Sequence, residues 1–401
     1  MSCRYIERMS VRVSAGANNL VRLWTRKAGL VDDKAFAANQ DLTLAMMDTM
    51  LSIVMGDSPS SVDLAYASIA NSPVSLHTDK KVMIIPQSDP PSLQKAMRAL
   101  ARSVEQLNFA PFPAYISKIF IQDLSPTWRK SRRIVSEFID DRVWEARARE
   151  NATSRTKHGE SLSTDADCVV DMVAQREARE GAEKLDIGEV RDELMTFMTA
   201  GQDTSGVVMS WLVKFLPQDM ALQQRLHDEV CSAFGPKAND EPWDFATMTD
   251  SSKTPVLEAV VAESLRCAKV APNIVRELAN DEVILGRQVP KGTQILIPVG
   301  PLSAQESDWG PDAESWRPSR WLRPDGSFDA NAGTNLPFGM GQRACFGQRL
   351  AMLQLKTFLA ALSKAFIFKP VPKEVAGHAA YITITRQPEH CYVSLERRPT
   401  E

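Results

Sequence analysis

The chain has 401 residues and carries 47 basic against 50 acidic side chains, a net charge of −3, with 44% hydrophobic and 24% charged residues. That balance is ordinary for a globular protein with a sizeable core and gives no electrostatic reason to expect nucleic acid as a partner. Its six cysteines form no Cys-x-x-Cys pair, which argues against a zinc ribbon or thioredoxin-like site and for reduced thiols over a disulfide framework.

The first residues bring Arg4, Arg8 and Arg12 together with Ser2, Ser10 and Ser14 and one acid, Glu7. An organelle-targeting segment has this composition, and so does one face of an amphipathic helix running on to Leu20, Val21 and Trp24; the helix is the simpler reading. Asp41–Met55 is strongly apolar and predicts a buried helix. Asp48, Thr49 and Ser52 interrupt it, and no uninterrupted apolar stretch in the chain reaches the ~18 residues of a membrane span. Leu93–Leu107 and Pro126–Ala148 predict more charged helices. Asn151–Asp165 reads as a polar loop, and its Asn151-Ala152-Thr153 sequon as a chance match. Gly188–Phe215 predicts a long helix, apolar on every face and so surrounded by protein; Gln218–Phe234 and Thr254–Cys267 predict shorter ones. From about residue 276 the character changes. Residues 282–298 read as short strands around Gly286 and Pro290-Lys291-Gly292, and 305–335 as an irregular segment. A last helix covers about Phe346–Phe366, and Tyr381–Thr385 alternates like a strand. The fold class is mainly α with small β-sheets, with no repeat and no clear linker.

Two places stand out chemically. The long helix carries Ala200-Gly201-Gln202-Asp203-Thr204-Ser205-Gly206 at its centre. Two glycines inside a helix cost about 1 kcal/mol each relative to alanine, and a buried carboxylate costs more unless it finds partners. Either the helix is distorted there for a chemical purpose, or another helix crosses it closely. The second place is Phe338-Gly339-Met340-Gly341-Gln342-Arg343-Ala344-Cys345-Phe346-Gly347, a lone cysteine between a glycine-rich turn and an apolar helix. Free amides in such a turn and at a helix N-terminus favour an anion, hence a thiolate, which is a nucleophile or a metal ligand. The glycines let something flat approach the backbone closely.

This decapeptide resembles the heme-binding loop of cytochrome P-450 enzymes, Phe-x-x-Gly-x-Arg-x-Cys-x-Gly, with every specified residue in place. The resemblance implies a cytochrome P-450 fold binding heme b, with Cys345 as the axial thiolate on the iron, Arg343 on a heme propionate, Phe338 covering the sulfur and Gly339 and Gly341 shaping the loop. Three further segments agree. Glu263-Ser264-Leu265-Arg266 resembles the family's Glu-x-x-Arg pair. Trp316-Arg317-Pro318-Ser319-Arg320 resembles the segment whose arginine, here Arg320, clamps that pair. Arg276 stands where a second propionate-binding arginine falls. Ala200-Gly201-Gln202-Asp203-Thr204 resembles the oxygen-activation motif, which implies a local distortion at Gly201, a hydroxyl at Thr204 turned towards dioxygen and proton relay by Asp203.

The implied organisation is a single domain over 1–401. Residues 1–125 form a helical part of the substrate side, 126–280 the long central helix and the Glu-x-x-Arg helix, and 281–401 the β portion, heme loop and proximal helix. Trp128 and Arg132 mimic the family's Trp-x-x-x-Arg pair but lie about half as far ahead of Thr204 as that pair does. The implication is that the usual N-terminal region is missing: the membrane anchor, the first helices, most of one small sheet and the true Trp-x-x-x-Arg helix. The expected function is a monooxygenase inserting one atom of O2 into an apolar small molecule. NADPH would supply electrons through a cytochrome reductase, and the best analogy is to fungal enzymes acting on terpenoids, polyketides or alkaloids. A heme-thiolate isomerase or dehydratase and a non-catalytic truncated member are the alternatives. Family members are usually anchored in the endoplasmic reticulum; with no anchor legible here, a cytoplasmic or peripheral location is expected. Pocket walls are expected from Phe197, Ala200, Thr204 and Val270–Val275.

Overall fold

A computed structural model describes residues 3–56, 60–71, 77–79, 82–86, 89–154, 166–178, 184–235 and 241–399. Cys3–Val31 is one helix whose inner face buries Tyr5, Met9, Val13, Leu20 and Trp24, the amphipathic outcome anticipated from its periodicity. It packs on Gln348–Ala365 and on Asn39–Met55. At that second junction the Lys27 ammonium lies 2.7 Å from the buried Asp41 carboxylate, which also accepts from the Trp24 indole at 2.9 Å.

Asn39–Met55 lies along the central helix, Ile187–Phe215, the most extensive helix–helix contact in the described residues. The central helix starts at Asp186, whose carboxylate accepts from the Gly188 and Glu189 amides at 2.8 and 3.2 Å. It ends before Pro217, which folds Leu216–Gln218 into a 3₁₀ turn. Asp219 then caps Met220–Phe234 by accepting from Leu222 N at 2.8 Å. The cap explains why that helix starts two residues later than its periodicity suggested. Pro255–Ala268, opened by proline at its first turn, ends at Lys269 in the left-handed region, φ +47°.

Elsewhere Ser92–Asn108 and Pro126–Ser154 form the expected charged helices. The second continues through Asn151, so the loop expected over 151–165 begins at least four residues later and otherwise lies outside the described residues. Helices Ser61–Asn71 and Val169–Glu177 were not anticipated. Nor was the sheet that ties the ends of the chain together, in the order His77–Asp79, Val82–Ile84, Ala35–Ala37, Tyr392–Arg397, Phe366–Lys369. Phe36 pairs with Val393 in it, and Leu395 with Phe368. Glu282–Ile284 pairs with Arg287–Val289 as the β portion predicted, and the expected strand Gln294–Ile297 pairs with Ile274–Glu277, which lies ahead of the predicted strands. The strand expected at Tyr381–Thr385 is instead a hairpin, Ala380–Ile382 against Arg386–Pro388, turning at Thr383–Thr385. One hydrophobic core cluster runs from Tyr5 to Leu395. Among the described residues no helix is long and apolar enough to cross a membrane.

Candidate active site

Cys345 is reached by a turn that its own sequence dictates. Gly339 and Gly341 adopt φ +68° and +71°, where a side chain would strain the backbone, and Gly341–Arg343 closes a 3₁₀ turn. The Cys345 amide donates to the Phe338 carbonyl at 2.8 Å, which closes the loop on itself. Gly347 caps Gln348–Ala365, and a Cβ there would stand 3.9 Å from the Cys345 sulfur. Cys345 is exposed, and its thiol has no protein partner among the described residues.

The thiol faces a cavity of about 750 Å3. Phe338, Gly339, Arg343, Phe346 and Gly347 line it on the loop side; Phe197, Ala200, Gly201 and Thr204 line it from the central helix. Val270, Ala271 and Asn273–Arg276 complete the wall, so every pocket residue anticipated from sequence is there except Pro272. The Phe197 and Phe346 rings stack at 5.7 Å and join the two sides. Arg343 is exposed with no protein partner among the described residues, and Arg276 donates only to its neighbour's carbonyl, Val275 O, at 2.9 Å. The structure therefore brings Cys345, Phe338, Gly339, Arg343, Arg276, Gly201 and Thr204 to one cavity. It leaves out Gly341, which shapes the turn, and Asp203.

The expected distortion of the central helix is absent: Ile187–Phe215 is continuous α-helix. Its glycines serve close packing. A Cβ on Gly201 would fall 2.4 Å from Met50 Cε, and one on Gly206 would meet Met46 and the Thr43 backbone at 3.9 Å, so the helix that crosses here is Asn39–Met55. Thr204 Oγ1 donates to the Ala200 carbonyl at 2.9 Å, and its side chain faces the cavity. Ser205 Oγ reaches Gln354 Oε1 at 3.3 Å, whose amide points at Met50 sulfur at 3.4 Å. Met50 and Gln354 were missed in the sequence because nothing local marks them, and Phe346, next to Cys345, was read only as the start of the last helix.

Behind the loop, Glu263 is fully buried and receives five donors. Arg266 Nε and Nη2 reach its two oxygens at 2.8 Å each; Arg320 Nε at 3.0 Å, the Arg317 amide at 2.8 Å and the Trp321 indole at 2.8 Å complete the set. Arg266 also donates to the Ser303, Ala313 and Ser315 carbonyls, and Arg320 to Trp309 O and Asp312 O. Two guanidinium forks on one carboxylate pin the irregular segment 303–321 to Pro255–Ala268. Trp128 and Arg132 stack on each other at 5.2 Å on Pro126–Ser154 and do not line the cavity.

The family model described as cytochrome P450 matches residues 2–378. The chain belongs to the cytochrome P450 family. Among its relatives, the cytochrome P450 monooxygenase GME11363 of Pestalotiopsis microspora is 27% identical over 96% of this chain and 71% of its own length. The cytochrome P450 monooxygenase TRI13 of Fusarium sporotrichioides is 28% identical over 94% of this chain and 72% of its own. The Hps1-dma1 cluster cytochrome P450 monooxygenase cyp3.1 of Dothistroma septosporum is 29% identical over 52% and 78%. A cytochrome P450 is a heme-thiolate monooxygenase, an oxidoreductase that uses heme b, O2 and electrons from NADPH delivered by a reductase. The residues present fit that cofactor: a free thiol on the wall, a glycine turn without side chains beside it, an apolar cavity large enough for a flat ring system and two cations at its edge.

Proposed function

We propose that this P450 inserts one oxygen atom into an apolar small molecule of the secondary-metabolite kind, a terpenoid, polyketide or alkaloid, and that the Cys345 sulfur would hold the heme iron. The observation that carries the reading is that the Cys345 thiol and the Thr204 hydroxyl line one cavity together with the apolar side chains of Phe197, Ala200, Val208, Leu265, Val270 and Ile274. The fungal relatives, one named for a gene cluster, support the substrate class.

When bound, the heme supplies the iron at which O2 is activated. Arg343 and Arg276 would hold its two carboxylates, and the Gly339–Arg343 turn leaves room for the ring. The Cys345 N–Phe338 O bond closes the loop, and the Phe338 side chain, which lines the same cavity, would pack beside the bound group. Apolar walls desolvate the substrate and hold it by burial. Thr204 Oγ1 gives up its bond to Ala200 O when it donates into the cavity, an exchange a threonine at this position makes by rotating χ1. Asp203, the preceding residue, holds the proton that resupplies it.

Thr204→Ala tests the assignment. Heme content stays at wild-type level, while product formed per NADPH consumed falls several-fold and peroxide rises. Unchanged coupling would remove Thr204 from proton delivery, and product formed without O2 and NADPH would overturn the monooxygenase reading in favour of an isomerase or dehydratase.

A further inference from the structure

Asp203 does not face the cavity; its carboxylate turns the other way, into a slot closed by the Ala380–Pro388 hairpin. Thr385, buried at the turn of that hairpin, donates from Oγ1 to Asp203 Oδ2 at 3.1 Å. Gln387 Nε2 donates to the same Thr385 oxygen at 3.3 Å, and Tyr381, half exposed, donates to Gln387 Oε1 at 2.9 Å. Three donors thus point one way, from the surface to the carboxylate, and each bond polarises the next.

The hairpin that carries them is anchored through the backbone of Arg386, on the cavity wall and on the central helix. The Arg386 amide donates to Val270 O at 2.9 Å in the cavity wall, and the Trp211 indole of the central helix donates to Arg386 O at 2.9 Å. The charged and titratable groups facing Asp203 are Glu105 from Ser92–Asn108 and Tyr381 from the hairpin; no cation bonds it among the described residues.

We propose that Thr385 is a positioning residue for this enzyme's oxygen chemistry: its hydroxyl, backed by Gln387 and Tyr381, holds the Asp203 carboxylate on the solvent side of the central helix, beside Glu105, where protons enter. The role rests on the reading of Asp203 as the proton donor to Thr204. Burial and the negative charge of Glu105 both raise the proton affinity of Asp203, and the Thr385 hydrogen bond opposes them. Without that bond the carboxyl would hold its proton to higher pH and would be free to turn. Resupply to Thr204 would then slow, although no atom facing the cavity had changed. Thr385 belongs to neither the heme loop nor the oxygen-activation motif, and it reaches the site only through the fold.

The test is an infrared difference titration of the Asp203 carboxylate, identified by its loss in Asp203→Asn, together with product per NADPH in the heme-loaded enzyme. Thr385→Val moves the Asp203 midpoint up by about one pH unit, the size expected when a carboxylate loses a hydroxyl donor. It also lowers coupling several-fold at unchanged heme content, and Thr385→Ser restores both. An unmoved midpoint in Thr385→Val, or identical behaviour of the valine and serine variants, overturns the proposal. Should the valine variant fail to fold, Gln387→Leu shifts the midpoint in the same direction by less, and its failure to do so is equally decisive. A shifted midpoint with unchanged coupling supports the positioning and sinks instead the assignment of Asp203 as proton donor, so the two failures are distinguishable.

Discussion

Replacing Glu263 by glutamine leaves the shape of its side chain and removes its charge. The structure shows what that does: the guanidinium groups of Arg266 and Arg320, whose side chains are 0% and 5% exposed, lose the carboxylate they share, and Arg320 keeps the Asp312 carboxylate at 3.3 Å. Of the five donors on Glu263, those that approach the amide nitrogen of a glutamine would face another donor. Breaking a buried ion pair by deleting one partner costs about 3–5 kcal/mol; here Arg266 is left without a carboxylate while Arg320 keeps Asp312, which places the loss towards the upper end of that range. Against a total stability of roughly 5–15 kcal/mol, that is a third to nearly all of the margin. Urea unfolding followed by tryptophan fluorescence measures it, since Trp309, Trp316 and Trp321 surround the clamp. The midpoint concentration falls with an unchanged slope. The expected functional consequence is weaker heme retention, because Ser303, in the pinned 303–321 segment, and Arg266 both line the cavity that Cys345 faces. A Glu263→Gln loss below about 1 kcal/mol would refute the reasoning, and would mean that the remaining carbonyl acceptors of both arginines suffice.

Lys27→Met strips the buried Asp41 of its cation and leaves only the Trp24 donor, so thermal and urea stability fall by about 3–5 kcal/mol; the double variant Lys27→Met with Asp41→Leu recovers most of it. Alkylation by iodoacetamide at pH 8 modifies Cys3 and Cys345, the exposed thiols, and heme protects Cys345. Cys391, Cys267 and Cys168 are spared, because burial pushes their thiols up to about 12, about 12 and about 11. The same shifts set the alkaline limit. Each folded value lies above the ordinary thiol value of 9.0, so above that pH the unfolded chain loses these protons first and stability declines as pH rises; Cys391→Ala flattens that decline.

Much of the site was legible because its chemistry is written locally. Cys345, Arg343, Phe338 and two glycines fall within ten residues, and each is constrained by the turn they share. Glu263 and Arg266 sit at i,i+3 and meet as that spacing requires, while the arrival of Arg320, Arg317 N and Trp321 on the same carboxylate follows from the proline-led 3₁₀ turn Pro318–Trp321. The long helices were legible from periodicity to within two residues of their starts, and the structure places those starts at the caps Asp186, Asp219, Thr254 and Gly347. What escaped was non-local or short. Strands such as Ala35–Ala37 and Val82–Ile84 have three residues, too few to show an alternation. From the residues alone the glycines at 201 and 206 fitted either a distortion or a close helix crossing; the crossing is what the structure shows, and the methionines that decide it lie about 150 residues earlier, where periodicity carries no register between helices. Thr385 carried no signal, since its partner Asp203 is far away in sequence and its own segment reads as an ordinary strand.

The measurement closest to the central claim is the absorption spectrum of the heme-loaded, reduced, carbon-monoxide-bound protein. A red-shifted band characteristic of a thiolate ligand, lost in Cys345→His, is the predicted result. A wild-type spectrum without that band, or one that survives the substitution unchanged, contradicts the assignment of Cys345 to the iron.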